Sequence, residues 1–546
     1  MIRAGAAPGY RADVAQIRRV PSGPARGIAR AAACFLTAAL ATGTFCAAAS
    51  PGHAALRAQR FDTASGRAQP DGPIACASVP QARDALRPVA VDVRRTIGHL
   101  HSLQGVNGAP APGMHKPPAF TFGGWNMPEA VDTSAGYREA RIDLVRTHDA
   151  YGPGDIDAHF NAPPPSGRAG AFNVSSARSS LDIYPDASAD PNDPRSYHFA
   201  PTDRLVASIV NLGAQTIFRL GRSETSEVTP PRDFDRYASV VEHIVRHYNG
   251  GWDHGYRYGL RYWEIWNEPD LGKLFWGGTP QQFYELYAKL ARAVKRADPT
   301  ALVGGPTLAK PNEATPYRDD FLRFVRAEHL PLDFYSWHWY ATDSDDPLDF
   351  VRIGAAVRER LDRFGFRRTL SVLDEWNYGL VYPLPADIER AAFVATALIY
   401  MEHAPIDLAA LYRADSLFGR DGATPNETGG ALIAVGRMKE TPFELEATGG
   451  DRCGFAVEAG RSADGRTLQI LLSNYQIPQR PRASRGYTLT VRGLQAGAAY
   501  EVERYRIATG QVLVHTEHTV QSDGSVRVSA VLPPPGVDLL VIRRSR

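Results

Sequence analysis

The chain has 546 residues, 44% of them hydrophobic, and its 61 Lys+Arg against 59 Asp+Glu give a net charge of +2. That apolar share supports a large core and excludes a chain disordered throughout. The near-neutral balance, with no long basic run interleaved with aromatics, excludes nucleic acid as an expected partner. Length allows about two to four domains, or one barrel of roughly 250 residues or more with an added module.

Residues 1–50 read as a secretory signal. Arg18, Arg19, Arg26 and Arg30 precede the small, apolar stretch AAACFLTAALATGTFCAAAS, and Ala47-Ala48-Ala49 offers a cleavage site. The stretch is too weakly hydrophobic for a good membrane anchor, and no later stretch is apolar enough to span a bilayer. The expected location is therefore exported, periplasmic or secreted. Of the four cysteines, Cys34 and Cys46 lie inside the signal. Cys76 and Cys453 remain, either as a disulfide or as two unrelated buried thiols. Residues 51–86 read as a linker or loosely ordered lead-in.

From 87 to 442, short β-like runs alternate with amphipathic helices. PVAVDVRRTIGHL is the first strand and could instead join a later β-domain. Further strands are expected at Leu103–Val106, Ile142–Arg146, Thr216–Leu220, Leu260–Trp266, Ala301–Val303, Phe334–Trp339, Thr369–Leu373 and Leu408–Tyr412. The clearest helix starts at Thr279, with Pro280 at its first position and Gln282 completing a capping box. Phe283, Leu286, Tyr287, Leu290 and Val294 then keep helical spacing up to Asp298-Pro299. Asp233–His247 and Ile388–Met401 are similar. This alternation predicts an α/β chain with a (β/α)8 TIM barrel, a doubly wound sheet being the alternative. Residues 443–546 change texture to short alternating runs with Gly, Asp and Pro turns. They predict a C-terminal antiparallel β-sandwich domain.

In such a barrel the C-terminal strand ends face the active site. Four ends carry reactive groups: Arg146, His148 and Asp149 on the second strand, Glu268 on the fourth, His338 and Tyr340 on the sixth, and Glu375 on the seventh. Two carboxylates on opposite strand ends can flank one glycosidic bond, one as acid and one as nucleophile or base. Trp266 and Asn267 flank Glu268, and Trp376 and Asn377 flank Glu375, company that can separate two carboxyl pKa values. Alternation puts only one of Asp374 and Glu375 on the inner face, and Glu375 is the choice. His338 is either a site residue or a satisfied buried histidine. By the same alternation Tyr262, Glu264, Trp266 and Glu268 share a face, so Glu264 needs a buried partner such as an arginine. Phe275 and Trp276 either stack on sugar faces or pack on the barrel rim. No HExxH, CxxC, Walker loop, GxGxxG or GxSxG motif is present. No metal and no cofactor are expected.

Taken together, EIWNEPD, LVGGP, DFYSWHWY, LDEWN, GGALIAVGRMKETPF and LLSNYQ resemble segments of glycoside hydrolase family 39, which includes β-xylosidases and α-L-iduronidases. The resemblance covers patches of about residues 100–545. It implies a retaining hydrolase with Glu268 as acid/base and Glu375 as nucleophile, about 5–5.5 Å apart. Asn267, His338 and Tyr340 would serve the sugar-binding subsite, with Arg146, His148 and Trp376 as further substrate-binding candidates. The default substrate is a β-xyloside. The alternatives are an endo-acting glycosidase on an exopolysaccharide, suggested by the insertion at 155–193 and by Glu224, or a non-catalytic carbohydrate-binding protein. The partner expected is an oligosaccharide or polysaccharide, with no membrane partner once the signal is removed. The endings GRSE on the third strand and YRADS on the eighth depart from the family pattern.

Overall fold

The computed structural model describes residues 59–61, 68–70, 86–113, 130–150, 152–157, 181–223, 229–379, 385–419, 421–477, 485–508, 511–520 and 523–545. The signal segment, Cys76 and Glu224 lie outside them. Within residues 51–86, the strands Gln59–Phe61 and Ala68–Pro70 pair antiparallel.

Eight parallel strands close into a barrel, each followed by an α-helix. The strands are β1 (Gly105–Asn107), β2 (Leu144–Arg146), β3 (Gln215–Leu220), β4 (Tyr262–Ile265), β5 (Leu302–Leu308), β6 (Phe334–Ala341), β7 (Leu370–Tyr378) and β8 (Leu408–Leu411). The helices are α1 (Ser134–Glu139), α2 (Ala200–Val210), α3 (Phe234–Val245), α4 (Pro280–Ala297), α5 (Phe321–Ala327), α6 (Asp349–Arg363), α7 (Asp387–Met401) and α8 (Glu427–Arg437). The expected barrel is thus present, with its strands in sequence order around the ring. The cap at Thr279 forms as expected: its side chain accepts from Gln282 N, and Gln282 returns the bond to Thr279 N.

The barrel interior is layered. Leu144, Ile217, Tyr262, Phe334 and Val372 fill its lower part as an apolar plug. The strand residues directly above are charged or polar: Asn107, Arg146, Arg219, Glu264, Ser336 and Asp374, all buried.

The second sheet has nine strands, in the order Gln511–Val520, Ala499–Ala508, Gly536–Arg544, Thr467–Asn474, Phe455–Arg461, Phe443–Thr448, Arg87–His99, Arg485–Arg492, Val526–Leu532. All pairs are antiparallel except Arg87–His99 with Arg485–Arg492. Val502 near one end and Val528 at the other share one apolar cluster, so the sheet curls over itself as a sandwich does. The segment PVAVDVRRTIGH belongs here and not to the barrel: it lies between Phe443–Thr448 and Arg485–Arg492.

Helix α7 joins the two parts. It is buried on every face from Arg390 to Met401. Tyr378 of β7 stacks on Phe393, whose ring meets Tyr475 edge-on at the sheet side. Thr396 donates to Ser473 Oγ at 2.8 Å, and Ser473 donates to Ala392 O at 2.9 Å. A helix apolar all round needs cover on both sides, which explains its lack of a polar face. Cys453 is disulfide-bonded. Among the described residues no helix is long and apolar enough to cross a membrane.

Candidate active site

The stretch WNEPD does not continue β4 as a regular strand. The strand ends at Ile265, and Trp266 turns to φ 74°, Glu268 to φ 41°, with Thr307 of β5 beside them at φ 61°. Positive φ costs a bulky side chain roughly 1–3 kcal/mol, and such strain gathers where geometry matters more than stability. Local contacts hold it in place. Trp266 donates from N to Leu220 O at 2.8 Å and from Nε1 to Phe275 O at 2.8 Å, and Glu268 N donates to Thr307 O at 2.9 Å. Asp270 accepts from Ala309 N at 3.1 Å and Lys310 N at 2.8 Å, tying the loop to the end of β5. The simple alternation from Tyr262 to Glu268 is therefore corrected at Trp266, which packs edge-on against Trp276 at 5.2 Å.

Arg146 is the hub of the buried layer. It is fully buried, and its guanidinium donates through Nε to Glu264 Oε2 at 2.6 Å. Nη1 donates to Asn107 Oδ1 at 3.2 Å and Glu375 Oε2 at 2.9 Å, and Nη2 donates to Asn267 Oδ1 at 2.7 Å. The arginine that Glu264 needs thus comes from β2, two strands from β4 around the barrel. Glu375 accepts a second bond from Tyr340 OH. His338 Nδ1 bonds Glu268 Oε1 at 2.7 Å, and its Nε2 lies 3.8 Å from Glu375 Oε2. Glu268, His338 and Glu375 each place one N or O within 4.8 Å of the others. The two glutamates, His338, Tyr340, Arg146 and Asn267 therefore form one constellation.

The choice between Asp374 and Glu375 is corrected. Both reach the barrel interior, because the register of β7 shifts between Leu373 and Glu375 against β6. This bulge breaks the alternation locally, so two consecutive carboxylates face Arg146: Asp374 Oδ2 is 3.0 Å from Nε. Trp376, expected to touch substrate, is corrected as well. It is fully buried on the outer face, edge-on to Phe350 of α6 at 5.2 Å. Phe275 and Trp276 are buried too, which favours packing over stacking on a sugar.

His148 adjoins the pair, its Nε2 3.2 Å from Asp149 Oδ1 and 3.9 Å from Glu375 Oε2. Tyr412 of the eighth-strand end donates to Asp149 Oδ2 at 2.7 Å, and Arg413 Nη1 donates to Asp149 O at 2.9 Å. Asn107 and Tyr412 were not singled out from sequence, and Asp374 was set aside in favour of Glu375. Asn107 and Tyr412 sit at C-terminal strand ends, a position that could have marked them. Among the described residues, the buried nitrogens Asn267 Nδ2 and His148 Nδ1 have no hydrogen-bond partner. A bound hydroxyl would satisfy them.

The electrostatics follow from burial and crowding. Burial and the adjacent Glu268 push Glu375 up to about 7, against the pull of His338 and Arg146. Burial disfavours a charged His338, but Glu375, Asp374 and Glu268 outweigh it and hold the ring as a cation well above its ordinary pKa. Burial and the cations Arg146 and Arg219 keep His148 neutral despite Asp149. By distance, Glu268, His338 and Glu375 could hold a metal ion. Protonation of His338 opposes ligation there.

The GRSE end of β3 is fixed to the β2 insertion by buried pairs, Arg219–Asp155 and Arg222–Asp157, both at 2.5 Å. Asp182 beside them is pushed up to about 10 by burial and by Asp155 and Asp157.

Residues 190–409 match the model of glycosyl hydrolases family 39. A β-xylosidase of Caldicellulosiruptor saccharolyticus is 24% identical over 326 residues, 54% of this chain and 63% of that protein's length. The crystal structure of a glucosidase from Croceicoccus marinus is 35% identical with a TM-score of 0.72, covering 85% of this chain and all of that one. A family 39 enzyme from Xanthomonas axonopodis pv. citri, 16% identical, shares the fold with a TM-score of 0.62 over 86% of this chain and 100% of its own. With its barrel, its paired glutamates and these matches, the chain belongs to glycosyl hydrolases family 39.

Proposed function

We propose that the protein is an exported retaining glycoside hydrolase acting on a β-linked pyranoside, with a β-xyloside as the first substrate to test. The observation that carries this is the closeness of Glu268 and Glu375, whose nearest ligand atoms lie within 4.8 Å of each other. Carboxylates about 5–5.5 Å apart leave no room for a water between the second carboxylate and the anomeric carbon and suit direct attack. Inverting pairs stand about 6.5–9.5 Å apart. In this reading Glu268 protonates the leaving oxygen while Glu375 attacks the anomeric carbon and forms a glycosyl ester. Glu268, now a carboxylate, then takes a proton from the water that cleaves the ester.

The neighbours fit these tasks. Arg146 Nη1 and Tyr340 OH hold both oxygens of Glu375 and orient it. His338 donates to Glu268 and leaves that residue's other oxygen for the leaving group. Asn267 Nδ2 and His148 Nδ1 offer polar atoms to sugar hydroxyls. The glucosidase likeness favours a glucoside as the second substrate to test. The disulfide at Cys453 supports the oxidising compartment that the N-terminal signal pattern implies.

The test is a panel of aryl β-xylosides and β-glucosides, xylo-oligosaccharides and polysaccharides, with product anomers followed by NMR. Glu375→Ala is inactive, and azide restores turnover with an inverted glycosyl azide. Glu268→Ala retains activity only on good leaving groups. Undiminished hydrolysis by both variants, or a first product of inverted configuration in the wild type, refutes the assignment.

A further inference from the structure

Beneath the catalytic pair, two carboxylates converge on a single N–H. Arg146 Nε carries one hydrogen, yet Glu264 Oε2 lies 2.6 Å and Asp374 Oδ2 3.0 Å from that nitrogen. All three side chains are fully buried. Glu264 Oε1 and both Asp374 oxygens have no satisfactory hydrogen-bond partner among the described residues. Two anions this close, away from water, repel each other strongly, and orphaned carboxylate oxygens add their own desolvation cost.

The surrounding charges do not remove the conflict. Asn107 of β1 is neutral and donates to Asp374 O at 2.8 Å. Arg219 of β3 is level with Glu264 in register, but its Nη2 donates to Asp155. His338 of β6 reaches Asp374, its Nε2 3.6 Å from Oδ1. Glu375 of β7 adds a third carboxylate on Arg146, and Glu268 lies on His338. Two cations therefore face four carboxyl groups: Glu264, Asp374, Glu375 and Glu268.

We propose that Glu264 is held as a neutral carboxylic acid that donates from Oε1 to an ionised Asp374, making Asp374 the buried positioning anion that fixes Arg146 and His338 under the catalytic glutamates. One proton satisfies the orphaned Glu264 oxygen and one orphaned Asp374 oxygen together. Glu264 Oε2 still accepts from Arg146 as a carbonyl oxygen. Asp374, which meets both cations, keeps the charge. Electrostatics agree in direction. Burial pushes Glu264 well above the carboxylate range although Arg146 opposes it. Burial also works against an ionised Asp374, but Arg146, Glu264 and His338 outweigh it and hold the group at about 2.

The charge count then closes. The resting site has two cations, Arg146 and His338, and two negative charges, one on Asp374 and one on the Glu268–Glu375 pair, which shares one proton; a second proton sits on Glu264. Resting on the glycosidase reading, the first half-reaction moves the Glu268 proton to the leaving oxygen and turns Glu375 into an ester. The anions are then Asp374 and Glu268, again two. Asp374 stays charged throughout, and His338 faces a carboxylate in both states, 3.8 Å from Glu375 or 2.7 Å from Glu268.

Infrared difference spectroscopy on the full chain tests this without substrate. At neutral pH the wild-type spectrum contains the carbonyl stretch of a neutral carboxylic acid that disappears in Glu264→Gln. The same band persists in Asp182→Asn, the control that removes another buried carboxyl pushed up to about 10. A Glu264→Gln difference spectrum showing loss of a carboxylate band instead overturns the proposal, and so does loss of the acid band in Asp374→Asn with none in Glu264→Gln. The acid limb of kcat/KM supplies a readout that a merely structural role would not move. It stays in place in Glu264→Gln, because glutamine mimics the neutral acid. It falls by roughly one pH unit in Glu264→Gln/Asp374→Asn, where two cations face Glu375 without a buried counter-anion. A limb that moves in the single variant, or stays in the double, refutes the positioning role. If the chain hydrolyses no glycoside, the infrared result still decides the proton's place, so failure of the glycosidase reading is told apart from failure of this one.

Discussion

Arg146→Lys is the most informative single substitution, because it keeps the charge and removes the fork. The guanidinium uses three nitrogens to serve Glu264, Asn107, Glu375 and Asn267. A lysine offers one nitrogen on a flexible stem. It can stay with the β4 side, at Glu264, or rise to Glu375 and Asn267, but it cannot span both. At least two buried acceptors then lose their donor, at about 1–3 kcal/mol each, so the expected stability loss is about 2–6 kcal/mol. Because Glu375 loses either its donor or its alignment, kcat/KM falls about a hundredfold or more, the scale of one lost preorganised donor. Denaturant unfolding and turnover of the best aryl glycoside measure the two effects. A variant within about 0.5 kcal/mol of wild-type stability and within about threefold of its kcat/KM would show that the hub is not what holds Glu375.

Three further outcomes are expected. Glu375 has a folded pKa raised from 4.5 to about 7, so its ionisation destabilises the fold, and stability falls as pH rises through that window; Glu375→Gln removes this slope, seen as flatter unfolding midpoints against pH. Thr279→Ala deletes the capping box of α4 and lowers stability by about 1 kcal/mol in denaturant melts, with kcat/KM unmoved. Reducing the disulfide at Cys453 lowers stability by about 2–4 kcal/mol, and Cys453 is alkylated in denatured protein only after reduction.

The fold was legible because its signals are local. Hydrophobic spacing, the Thr279 cap and strand–helix alternation reported eight barrel units, and Gly-Asp-Pro turns reported the sheet. The candidate site was legible where reactive side chains sit at a strand end, as with Glu268, Glu375, His338 and Arg146, which the fold brings together. It failed where backbone geometry departs from a regular strand. Period-two alternation cannot foresee a left-handed Trp266 or the bulge at Asp374, because each is set by contacts with another strand. Trp376 was misplaced by adjacency: its neighbour Glu375 points inward, so the next residue points out. The hub at Arg146 could be asked for from Glu264 but not assigned, because partners two strands apart share no sequence pattern.

The all-round burial of α7 has a practical consequence for dissecting the molecule. A barrel helix normally presents water with a polar outer stripe, but α7 has none and meets the sheet instead. The sheet in turn is woven from both sides of the barrel sequence, with Arg87–His99 between Phe443–Thr448 and Arg485–Arg492. Cutting the gene at 442 would strip that strand of both partners and bare a greasy helix to solvent, so the truncated product should aggregate rather than behave as a minimal enzyme. Barrel and sheet are in this sense a single cooperative unit of unfolding, and the two have to be expressed together.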